Sequence, residues 1–200
     1  MSKNIKDFAY KVQGPIDASI NAVLNGVLTY FMLSGFSEIP VFSAPGGDFA
    51  HSLLGTLVPP AVMIAFIVSM MTTNTTIKKR IKGDVLPPLE AGVKWKSKTF
   101  KRGALRAIVN VLVVYVIGGI IIQFSPDITI SRIGAALIVA VIAALIAYID
   151  SVYAIFGTPH ALDSQSQSSF IEYNMAIISR YYKENIDLVI KDGKVYKNEL

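Results

Sequence analysis

The chain has no cysteine, so disulfides, thiolate metal sites and a thiol nucleophile are excluded. Histidine is scarce as well: His51 and His160 stand alone, and the topology derived below places them on opposite sides of a membrane. They cannot share a metal, and no metal or other cofactor is expected. There is no glycine-rich phosphate loop, no nucleophile elbow, no His-Glu metal motif and no acidic cluster suited to lipid-phosphate transfer, so no enzyme is expected. Charge is the last scarcity. Only 16% of residues are charged, against about 25% in ordinary soluble domains.

What is present is apolar. Hydrophobic residues make up 52% of the chain, and the mean hydropathy is +0.51. A lipid bilayer must therefore supply part of the solvent, and the expected class is an all-α integral membrane protein. Four long runs satisfy the length needed to cross a hydrocarbon core of about 30 Å. The spans are expected at about residues 16–36, 53–73, 104–124 and 133–155. The third is rich in Val and Ile, which in water would favour strand, but a lone strand in lipid leaves its backbone unsatisfied.

Between the second and third spans lies a basic segment, residues 77–103. From Ile77 to Arg106 the chain holds ten of its nineteen Lys and Arg residues against two acids, Asp84 and Glu90. Positive residues next to spans mark the cytoplasmic side. By contrast, Glu38 to His51 has two acids and no Lys or Arg, and Ser125 to Arg132 has one charge of each sign. These two loops belong outside. The expected topology is a multi-pass protein of the inner (plasma) membrane with both termini cytoplasmic. Because the cations sit where topology requires them, no nucleic-acid partner is expected.

Residues 1–15, with Lys3, Lys6, Lys11 and Asp7, read as a cytoplasmic lead-in in which Ile5, Phe8, Ala9 and Val12 form an amphipathic turn or two ending near Gly14 and Pro15. The apolar run that follows is too long for a signal-peptide core. Residues 157–200 form a cytoplasmic tail: a Ser and Gln linker over Asp163 to Ser169, an amphipathic helix over Phe170 to Lys183, and a β-hairpin turning at Asp192-Gly193. An internal pattern is also visible. Ala22, Asn25 and Tyr30 recur 85 positions on as Ala107, Asn110 and Tyr115, suggesting two helical hairpins in the same orientation, a 2+2 parallel repeat.

Candidate site residues follow from polar groups inside spans, which are costly there. Asp17, Asn21, Asn25 and Thr29 fall on one helix face and are expected to line a path with Asn110 opposite, or to bond between helices at about 0.6 to 2 kcal/mol each. Asp150, with Tyr148, reads as a proton or cation relay or as half of an ion pair with Lys78 or Arg106. His51 beside Asp48 reads as an external proton sensor or an ordinary interfacial histidine. Pro59 and Pro60 each remove a backbone donor inside the second span and predict a kink, as a gate hinge or as a shape element. Lys94, Trp95, Lys96, Lys98, Lys101 and Arg102 mix cations with an aromatic at the inner surface, a pattern suited to anionic lipid headgroups.

The functional expectation is a small transporter or channel-like protein for a solute or ion. Four spans enclose little volume, so it is expected to act as a homo-oligomer joined through small residues of the third and fourth spans, among them Gly134, Ala136, Ala140 and Ala144. The alternative is a non-catalytic accessory or assembly subunit that docks a protein partner through residues 164–200.

Overall fold

A computed structural model describes residues 2–42, 49–124, 128–159, 190–191 and 194–195. The chain divides into two units, Met1–Pro159 and His160–Leu200. In the second, strands β5 (Ile190–Lys191) and β6 (Lys194–Val195) pair antiparallel. Their expected Asp192-Gly193 turn, the linker over 163–169 and the helix over 170–183 lie outside the described residues.

The first unit is helical. Strand β1 (Lys3–Asn4) leads into α1 (Ile5–Phe8), a π-helical turn over Ala9–Gln13, and α2 (Gly14–Met32). After β2 (Glu38–Pro40) come α3 (Leu53–Ile81), β3 (Val85–Leu86), α4 (Lys96–Phe124), β4 (Thr129–Ser131) and α5 (Arg132–Phe156). Three helices, α3, α4 from Lys96 to Ile120 and α5, are long and apolar enough to cross a membrane. They make this a membrane-embedded helical protein.

Several boundaries differ from expectation for physical reasons. The lead-in does not end at Gly14 and Pro15; the helix runs straight on. Proline has no N–H to give, and the wider hydrogen-bond spacing of the π-turn before it absorbs that loss. Glycine is needed at position 14 because an added Cβ would lie 2.7 Å from the Ala9 carbonyl oxygen and 2.9 Å from the Tyr148 ring. The basic segment is also shorter as a loop, covering only residues 82–95. Helix α3 carries Lys78, Lys79 and Arg80 in its last turn, where cations complement the helix dipole. Both α3 and α4 are 29 residues long. At about 1.5 Å per residue, each exceeds the hydrocarbon thickness.

Helices α3 and α5 begin alike. Ser52 accepts a bond from Gly55 N–H at 3.0 Å and Ser131 one from Gly134 N–H at 3.1 Å, so each is an N-cap followed three residues later by glycine. Strands β2 and β4, which precede these caps, pair antiparallel with Ile39 opposite Ile130. This is the strand end of the bundle. At the other end, the basic end, β1 pairs in parallel with β3. Short strands thus tie both ends of a helix bundle read from sequence without strands.

Packing is crossed between the halves. Helix α2 lies along α5, α3 along α4, and α3 along α5, whereas α2 scarcely touches α3 and α4 scarcely touches α5. Small residues permit the close approaches: a Cβ at Gly26 would fall 2.9 Å from Ala140 Cβ, and one at Gly118 would overlap Leu54. Ala136, Ala143 and Ala147 are buried inside the chain. The small-residue face expected to join copies is therefore largely used within one chain.

Candidate functional site

The bundle interior has two characters. At the strand end it is apolar: Leu33, Ile39, Val41, Leu53, Leu54, Leu57, Val114, Ala135 and Val139 form one cluster. Toward the basic end, helix α3 turns Ser69, Thr72, Thr73 and Thr76 inward. Their spacing of three, four and seven residues puts four hydroxyls on one face. Only Thr76 lies beyond the span expected at about residues 53–73; the other three are short hydroxyl side chains at its end, where they resemble an ordinary polar exit, so this stripe escaped sequence reasoning.

The strongest charge arrangement lies between α4 and α5. Arg106 and Asn110, four residues apart, share a face of α4. Asp150 on α5 has no exposed surface. Arg106 donates from Nε to Asp150 Oδ1 at 2.6 Å, and Asn110 donates from Nδ2 to Oδ2 at 2.8 Å. Both carboxylate oxygens are thereby engaged. The Arg106 guanidinium also lies 5.2 Å from the Tyr153 ring centre. Of the two cations expected to pair with Asp150, the structure selects Arg106; Tyr148 instead packs against Gly14. The next side chain, Ser151, has a buried hydroxyl without a hydrogen-bond partner.

Asn110 has a further contact, from Nδ2 to the Ala61 carbonyl at 3.3 Å. Ala61 follows Pro59 and Pro60, through which α3 continues as helix although two donors are missing. The amide therefore ties the charge cluster to the proline-containing turn.

The stripe on α2 is arranged differently. Asn21 and Asn25 donate to the carbonyls of Asp17 and Asn21, at 2.8 and 2.9 Å, within their own helix. Thr29 is buried. Only Asp17 reaches across: its Oδ2 accepts from Thr72 on α3 at 2.6 Å, while Oδ1 accepts from Gln13 at 2.9 Å. Helices α2 and α4 do not pack as a pair, so Asn110 is not brought opposite Asn21 and Asn25. Within each half, polar bonds join helices that hardly pack: Asp17 to Thr72 in the first, Arg106 and Asn110 to Asp150 in the second.

Arg80 is a second buried cation that sequence reasoning missed, since it lies in a run of lysines. It donates to the carbonyls of Pro87 and Pro159 at 2.8 and 2.6 Å and to the Thr158 hydroxyl at 2.9 Å, joining the ends of α3 and α5. Its Nη2 has no hydrogen-bond partner. Arg102 turns inward to the Gly157 carbonyl. The other members of the expected lipid-contact set, Lys94, Trp95, Lys96, Lys98 and Lys101, line an open pocket at the start of α4. His51 packs against the Phe36 ring at 4.6 Å. Among the described residues no cluster of three or more His, Asp or Glu could hold a metal.

Three membrane-length helices around a buried Arg-Asn-Asp cluster define the class: a membrane-embedded helical protein with charge in its interior. Comparison with protein-family models, curated protein sequences and solved structures finds no match to the chain.

Proposed function

We propose that the chain is a four-span membrane protein of two parallel helical hairpins that moves a small ion or solute, with Asp150 as the exchanging group. Support for α2 as the remaining span comes from its surroundings. It lies along α5, and its outward face, including Ile20, Val23, Leu24, Val27, Leu28 and Phe31, is apolar and exposed. A helix packed along a membrane span with that face outward needs lipid around it. Its 19 residues reach about 28 Å. The shared Ser caps and the crossed packing support the repeat, and the cationic basic end belongs in the cytoplasm by the positive-inside rule.

The transport reading rests on one observation, the fully buried Asp150 held by Arg106 and Asn110 inside the bundle. A proton arriving on Asp150 removes the charge that holds Arg106, and the guanidinium, about one-fifth exposed, is then free to swing toward the basic end. Loss of the proton restores the pair. The unpartnered Ser151 hydroxyl offers an oxygen beside the exchanging group, and the hydroxyls of α3 continue polar surface toward the basic end. Copies assemble to enclose the path. The asparagines of α2 act as helix-shaping groups in this reading.

The test is proton or cation flux in vesicles carrying the purified protein, with Asp150→Asn beside the native chain. The expected result is flux that the substitution abolishes while the variant stays folded. Equal flux from both proteins removes Asp150 from the path. If the native chain gives no more flux than empty vesicles, the accessory-subunit reading replaces transport. That reading draws on the same cluster, in which the Asn110 Nδ2 and both carboxylate oxygens of Asp150 are engaged internally, and places partner docking on residues 164–200.

A further inference from the structure

We infer that the pocket at the start of α4 binds the phosphate of an anionic phospholipid. It is open, has a volume of about 560 Å³, and is lined by Val93, Lys94, Trp95, Lys96, Lys98 and Lys101. The four lysines are exposed, and among the described residues no carboxylate bridges any of them. Four ammonium groups around one concavity attract an anion. Each basic residue near a membrane surface contributes about 1 kcal/mol to that attraction, roughly fivefold in binding.

Position selects a lipid over a free anion. Leu105, Ile108, Leu112 and Val116 on α4 are exposed and apolar, so this face meets acyl chains. Lys101 precedes Leu105 by four residues, about 6 Å along the helix, close to the depth of the interfacial layer beside the hydrocarbon core. The pocket therefore lies at headgroup depth directly beyond a lipid-facing stripe. Trp95, half-buried in the pocket wall, has the amphipathic ring that favours this layer. A phosphate held by the lysines leaves its acyl chains to run along the exposed face of α4. Arg102, bonded to Gly157, takes no part. The inference requires only that α4 enters the bilayer, and it stands whether or not the protein transports anything.

Trp95 is the only tryptophan in the chain, so its fluorescence reports this site alone. The full-length protein is placed in phosphatidylcholine vesicles containing a minor fraction of either phosphatidylglycerol or phosphatidylcholine brominated high on the acyl chain. Brominated phosphatidylglycerol is expected to quench Trp95 at several-fold lower mole fraction than brominated phosphatidylcholine. Lys98→Gln should reduce that preference about fivefold. Lys82→Gln, in the same basic loop but outside the pocket, should leave it within twofold. Equal quenching by the two lipids overturns the inference. So does an equal loss of preference in both variants, which would mean attraction to the charged surface as a whole. Abolition of the preference by soluble glycerol phosphate would make the site one for a free phosphate and overturn the assignment to lipid.

Discussion

The two ends of the bundle solve the same packing problem with different chemistry. At the strand end, Leu33, Leu54, Leu57, Val114 and Val139 interlock, and the two strands close the helices over an apolar core. Toward the basic end the helices are held by Asp17 with Thr72, Arg106 and Asn110 with Asp150, and Arg80 with the backbone at Pro87 and Pro159. In a bilayer, apolar contact offers little advantage over lipid, so the first end is held by packing quality together with the β2–β4 pairing and the bonds from Arg132 to Tyr30 and Ser34. The second end is held by groups that cannot be left unpaired. Strength and specificity are thus divided between them.

That division can be broken most severely at Arg106. Arg106→Leu leaves Asp150 buried without its cation and should lower stability by about 3 to 5 kcal/mol, read from denaturant titration in mild detergent. The double variant Arg106→Leu with Asp150→Leu should recover much of this loss, because no charge then remains buried. An additive double variant would show that the pair does not act as a unit. At the apolar end, Leu57→Ala should cost about 2 kcal/mol, near the lower end for such truncations, because the unfolded chain already sits in lipid. A cost equal to that of Arg106→Leu would erase the contrast between the ends.

Smaller effects sharpen the comparison. Thr72→Val removes the one bond that carries Asp17 across to α3 and should cost about 1 kcal/mol in the same titration. Asn25→Leu should change stability by less than about 0.6 kcal/mol, since its amide serves a carbonyl of its own helix. If Asn25→Leu were the costlier of the two, α2 would owe its seating to the asparagines and not to Asp17.

Much of the fold was legible in the chain because membrane length and charge are one-dimensional signals. The three apolar helices and the basic segment between the second and third expected spans follow from counting. The first expected span, α2, is not among the three apolar helices, and the case for it rests on its packing along α5 and not on composition alone. Pairing is a three-dimensional property, and here sequence gave partial answers. An acid inside a span demands a cation, which narrowed the partner of Asp150 to two residues, Arg106 among them. The asparagines on α2 looked equally demanding, but a carbonyl one turn back was enough for each. Ser69, Thr72, Thr73 and Thr76 were invisible as a site because threonines at a helix end resemble an ordinary polar exit. Arg80 was hidden by the lysines around it.

The crossed seating of the helices also bears on how the protein is made. A ribosome delivers α2 and α3 first, yet the surfaces they are shaped to meet belong to α5 and α4. The first two helices must wait, with Gly26 and Leu54 uncovered, until the second two emerge. Neither pair of consecutive helices is a finished unit on its own, and assembly is an interlocking of two incomplete pieces.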